Sequence, residues 1–151
     1  MAVQISQKCQ YAVRAMFELA KRVGTGPVKV GDIAEAQAIP PRFLEAILNQ
    51  LRKGGVVESW RGAAGGYALV RAPHNIRLGE IIRFVEGPIN PVAYMAGSTD
   101  NKCPLHGDCV FLEVWEEAEK AMATVFDQTT FQDLIDRQAS KSTSFESMFS
   151  I

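Results

Sequence analysis

The sequence predicts a mainly α-helical fold with one small β-hairpin, and three observations carry that reading. Apolar residues recur at helical spacing over several separate segments, which places them on one face of each. Only two short runs, Val56–Trp60 and Tyr67–Val70, read as strands, and a glycine-rich stretch joins them. Clusters such as Gly24-Thr25-Gly26-Pro27 and Ala38-Ile39-Pro40 separate the helical segments, where glycine and proline stop a helix.

Ser6 is placed to cap a first helix running to about Val23, with Tyr11, Ala12, Ala15, Met16, Leu19 and Ala20 as its apolar face. A short helix follows over about Val30–Ala36, with Ile33 and Ala34 turned inward. Pro41 suits the first position of a third helix, because proline there loses no needed donor. That helix runs to Lys53 on an apolar face of Phe43, Leu44, Ile47, Leu48 and Leu51, and Gly54-Gly55 ends it. The two strands come next, joined by Arg61-Gly62-Ala63-Ala64-Gly65-Gly66. Leu78–Val85 is another short helix, and residues 87–109 read as irregular. A long helix over about Val110–Phe126 carries an apolar stripe of Phe111, Leu112, Trp115, Ala118, Met122 and Val125. Glu113, Glu116, Glu117 and Glu119 form its wet side. Thr130 is placed to cap a last helix, Phe131 to about Gln138, and the serine-rich tail 139–151 is expected to be loose.

The chain has 151 residues, 47% hydrophobic and 22% charged, which suits one soluble domain with an appendage. No apolar run approaches the roughly 20 residues that span a bilayer. No leader pattern is visible at the N-terminus, so a cytoplasmic location is expected. The net charge of −1 hides an uneven distribution. Residues 1–99 hold 12 of the 16 Lys and Arg and 7 of the 17 Asp and Glu, a balance of +5, so residues 100–151 stand at −6. A basic front and an acidic back suggest two jobs.

Three helices followed by a two-stranded hairpin is the order of a winged helix-turn-helix. In that arrangement the N-terminal residues of the third helix meet base edges in the major groove of double-stranded DNA. Here they are Pro41, Arg42, Glu45 and Ala46. Arg42 offers donors to a guanine edge or a phosphate, and Glu45 an acceptor for a cytosine amino group. Arg52 and Lys53 at the helix end are placed for phosphates. Arg61 stands on a thin glycine-rich tip of the right shape for a minor groove. Any one of these cations also reads as a solvated surface charge; the combination is more specific than its parts. An adaptor whose winged helix binds protein instead of DNA is the rival from another class. Enzymatic chemistry is not indicated: no phosphate loop, nucleophile set or paired carboxylates stand out.

The wing Arg61-Gly62-Ala63-Ala64-Gly65-Gly66-Tyr67 resembles that of the iron–sulfur cluster regulators of the bacterial Rrf family, the IscR-like and NsrR-like repressors. The opening Ile5–Arg14, the stretch Pro41–Glu45 with Leu51–Val57, and Leu78–Ile82 are similar to the same family, and the resemblance runs to about residue 137. It implies a homodimer on a partly palindromic operator, with the helix from Val110 as the dimerisation helix. It also implies that Glu45 reads bases, that Arg61 enters the minor groove, and that Gly65, Gly66 and Tyr67 belong to the DNA-binding wing. Arg42 and Ala46 depart from the residues usual in the family, so site preference does not carry over.

The resemblance divides the chain into a DNA-binding domain 1–86, a cysteine-containing sensor loop 87–109, dimerisation and terminal helices 110–138, and the tail. Cys103 and Cys109 lie six apart in the loop, in a chain with three cysteines. Cluster-binding relatives carry C-x5-C-x5-C there. Trp115 stands where the third cysteine would fall, and Ala118 where some members use histidine. A [2Fe–2S] or [4Fe–4S] cluster on Cys103 and Cys109 would need Cys9 of the other subunit or His106 to complete it. Some relatives supply a ligand from the first helix at the position of Gln10, next to Cys9. A reversible Cys103–Cys109 disulfide is the alternative input. The spacing does not suit paired-cysteine zinc sites.

Overall fold

The computed structural model describes residues 5–91 and 110–149. Six helices and one hairpin follow in the order α1 (Gln7–Lys21), α2 (Val30–Gln37), α3 (Pro41–Lys53), β1 (Val57–Trp60), β2 (Gly66–Leu69), α4 (Leu78–Glu86), α5 (Val110–Gln128) and α6 (Phe131–Phe149). A single 3-10 turn, Pro73–Asn75, precedes α4.

α1 is the hub. Ser6 Oγ accepts from the Cys9 N–H at 3.1 Å, so the predicted cap is in place. Ala12, Ala15, Met16 and Leu19 face a core that α3 completes with Leu44, Ile47, Leu48 and Leu51, α2 with Ile33 and α4 with Ile81. The same helix packs against α2, α3, α4, α6 and β2. Glu18 is buried on its polar flank at 3% exposure, with Lys21 and Arg22 paired to it and Gln37 of α2 donating at 2.9 Å. Burial pushes that carboxyl's pKa up, but the three donors outweigh burial and hold it below its ordinary value.

β1 and β2 pair antiparallel with Val57 opposite Leu69 and Trp60 opposite Gly66. A third stretch of chain is stitched to the free edge of β2: Val28 N–H donates to Tyr67 O and Tyr67 N–H to Val28 O, both at 2.8 Å. The hairpin is thereby fixed to the segment just before α2 at its tip-proximal end, since Tyr67 is one residue from Gly66, where the strand pairing ends and the tip loop begins.

Two predicted boundaries move. α6 does not stop near Gln138 but continues to Phe149, through the segment predicted as a loose tail. Residues 131–151 contain neither glycine nor proline, and Thr143 Oγ1 bonds the Ala139 carbonyl one turn back at 3.0 Å, a local bond compatible with helix. The start of α6 also belongs to the first unit rather than to an appendage. Phe131 is fully buried in the common core, and its N–H donates to Ile76 O at 3.1 Å. Thr130 caps α6 as predicted, in reciprocal bonds with Asp133.

α5 has no buried residue. Its predicted stripe divides into two faces. Leu112, Trp115 and Met122 are half-buried, as are Glu119 and Ala123, which face Arg83 and Gly87–Ile89 beside α4. Glu119 therefore leaves the predicted wet side. Phe111, Val114, Ala118, Ala121 and Val125 form the other face and are exposed, at alternating steps of three and four.

Candidate nucleic-acid interface

The reading end of α3 is built by its own start. Ala38 adopts a left-handed conformation at φ 51° that ends α2, and Pro40 and Pro41 then launch α3 at once. With Leu44, Ile47, Leu48 and Leu51 inward, Pro41, Arg42, Glu45 and Ala46 are left exposed on the outer side. Phe43, predicted on the apolar face, is 61% exposed instead. It lies one position off the buried row and faces Gln7, Lys8 and Tyr11 of α1 across an open groove.

Arg52 and Lys53 are exposed at the far end of the helix. Arg52 Nη2 donates to Asn49 Oδ1 at 2.8 Å, which steers the guanidinium along the helix surface. Asn49 is a candidate contact that sequence reasoning missed; its position one turn after Glu45 was the available signal. Lys29 is a second, exposed at the N-cap of α2 directly after Val28 and so beside the tip-proximal end of β2.

The wing motif divides by role. Arg61 through Ala64 are exposed at the tip. Gly65 is buried, and a Cβ there would fall on the Trp60 carbonyl. At Gly66, φ is +155° and a Cβ would fall on the Val28 carbonyl, so only glycine lets β2 approach that strand. Tyr67 is half-buried against the core. These three residues shape the hairpin, and Arg61 supplies the charge on its exposed tip. Trp60, at 55% exposure next to it, is an aromatic neighbour to the tip that the sequence reading left inside a strand.

Among the candidate ligands, Cys9 is fully buried. Burial, aided by the nearby charge of Glu86, pushes its thiol up to about 11. Within its own subunit the Cys9 side chain packs as a small apolar residue, and burial disfavours its thiolate. Trp115 is half-buried and offers no ligand atom. Cys103, Cys109 and His106 lie outside the described residues. Among the described residues no three His, Cys, Asp or Glu side chains gather as a metal site.

With this geometry in place, the comparison with known proteins is decisive for family. The model of Rrf2, described as an iron-dependent transcriptional regulator, matches residues 5–137. The chain belongs to the Rrf2 family. The transcriptional regulator CymR of Bacillus subtilis is 38% identical over 132 residues, covering 87% of this chain and 89% of that protein. A solved structure of T. potens IscR superposes with a TM-score of 0.74 at 38% identity, covering 89% of this chain and 88% of that one. The structure of CymR described as the global cysteine regulator of B. subtilis gives 0.75 at 37% identity, over 89% and 97% of the two chains. Six helices with a two-stranded wing are thus the Rrf2 winged-helix fold, and the chain is an Rrf2 transcription regulator. No helix among its described residues is long and apolar enough to cross a membrane.

Proposed function

We propose that this chain is a homodimeric, operator-binding repressor whose input is the thiol pair Cys103 and Cys109. The observation that carries the DNA half is the joint exposure of Arg42 and Glu45 at the start of α3 and of Arg61 at the tip of an anchored wing. Arg42 and Glu45 read base edges, Arg61 enters the flanking minor groove, and Lys29, Arg52 and Lys53 meet phosphates. Two copies join along the exposed face of α5 and set the spacing of the two reading helices.

Two inputs are compatible with Rrf2 membership, a cluster and a dithiol. The burial of Cys9 favours the dithiol. Two thiols give up two electrons and two protons to a peroxide, forming one disulfide and two waters. One relative is named an IscR and another a global cysteine regulator, and neither name decides between the two inputs.

Selection of genomic fragments by the purified chain recovers a partly palindromic site, with binding that weakens steeply as salt rises. Failure to recover any salt-sensitive site overturns the DNA half in favour of the adaptor. Mass spectrometry after peroxide treatment finds a Cys103–Cys109 disulfide, and binding to the recovered site changes on oxidation and returns on reduction. An anaerobic preparation carrying stoichiometric iron and sulfide, lost on Cys103→Ala, overturns the dithiol in favour of the cluster.

A further inference from the structure

A groove of about 470 Å³ runs between α1 and α6. Its floor is apolar: Val13 and Phe17 of α1, Leu78 at the start of α4 and Leu134 of α6, all only partly covered. Its rim is cationic: Arg14 from α1, and Arg137 and Lys141 one turn apart on α6. No acidic side chain lines it. None of the three cations is in an ion pair among the described residues. Arg14 instead lies over the Tyr11 ring, 5.5 Å from its centroid. Asp133, one turn before Arg137 on α6, feels that guanidinium's charge but makes its hydrogen bonds to Thr130, whose N–H donates to it at 2.9 Å.

The distribution of charge makes the rim more telling. Residues 100–151 hold only 4 of the chain's 16 Lys and Arg, and two of those 4 stand on this groove. Three cations outside any close ion pair among the described residues, around a partly covered apolar floor, have the complementarity of an amphiphilic anion. The volume falls in the range usual for small-molecule sites.

We infer that this groove binds a small amphiphilic anion, its carboxylate or phosphate head on Arg14, Arg137 and Lys141 and its apolar body along Val13, Phe17, Leu78 and Leu134. A bound ligand bridges the central helix of the winged domain and the helix that follows α5, so it stiffens the join between the two. None of the residues that line it belongs to the DNA-reading face or to the thiol pair.

Calorimetric titration of the full chain with octyl phosphate, octanoate and octanol tests it. Octyl phosphate binds tightest, octanoate next and octanol weakest. Shortening the alkyl chain weakens binding by up to roughly fourfold per methylene while the floor is being filled. The double variant Arg137→Gln, Lys141→Gln, at two exposed positions, weakens octyl phosphate about tenfold and leaves octanol unchanged. Arg14→Gln weakens octyl phosphate in the same direction. The two anions separate a phosphate-bearing ligand from a carboxylate-bearing one. Equal affinity for octyl phosphate and octanol, full affinity in the double variant, or no heat with any of the three overturns the proposal.

Discussion

Glu18 and Arg61 show two uses of charge in one small domain. Glu18 is buried and answered by Lys21, Arg22 and Gln37, so it joins α1 to α2. Its folded carboxyl titrates below the ordinary 4.5. A carboxyl with a depressed folded pKa stabilises fully above its unfolded value, and that contribution is lost as pH falls through the folded value. Glu18→Gln should therefore destabilise the chain by about 1–2 kcal/mol at pH 7. The gap to the native chain should close as urea melts are repeated from pH 5 towards pH 3; a gap that persists there would contradict the charged role. Arg61 is exposed on a tip with no ion partner among the described residues, and its worth lies in a bound phosphate-rich groove. Arg61→Ala should leave melting unchanged, weaken operator binding about tenfold and lower the salt slope by about one. Titrations at several salt concentrations read both numbers.

The joint between α4 and α5 rests on one glycine. Arg83 grips Asp127 with both nitrogens, at 2.5 and 2.9 Å, while Arg77 Nη1 reaches the Asp127 carbonyl at 3.3 Å. Asp127 draws the Arg83 pKa up and Arg83 draws the Asp127 pKa down. Gly79 leaves the space: a Cβ there would fall on Asp127 Oδ1. Gly79→Ala should displace the carboxylate and cost up to about 1 kcal/mol, the ceiling for a pair this exposed. In an Asp127→Ala background the same change should turn neutral or stabilising, because alanine is the better helix former. Melts of the four chains at one protein concentration give the cycle, and simple additivity would mean the two sites do not touch. Nothing in the sequence pairs residues 79 and 127, so this joint was not legible there. Legible features were those with a local cause: the proline at the start of α3, the Ser6 and Thr130 caps and the glycine-rich wing. Phe43 and the division of the α5 stripe depend on neighbours distant in sequence. The helical extension past Gln138 has only a negative signal in the sequence, the lack of any glycine or proline, set against a serine-rich composition that favours turns.

The winged domain and α5 have opposite surfaces, one basic and reading outward, the other acidic with an apolar seam left bare. Val110, Phe111, Val114 and Val125 are 53–70% exposed, and the seam from Phe111 to Val125 keeps the three-and-four step of helices that pair. A row of large apolar side chains in water is costly alone and marks an interface. In the dimer we propose, covering it fixes the distance between two reading helices, so the second half-site is bound at high effective concentration. Breaking the seam should then cost far more than any single DNA contact. Val114→Glu should run as a monomer by light scattering and lose roughly 100-fold in affinity for the full operator, against about tenfold for Arg61→Ala. It should bind an isolated half-site as the native chain does, since α3 and the wing are untouched. Lys120→Gln, on the solvent side of the same helix, controls for charge and should stay dimeric. If Val114→Glu remains a dimer with full affinity, the seam is not the interface, and the spacing of the reading helices is set elsewhere.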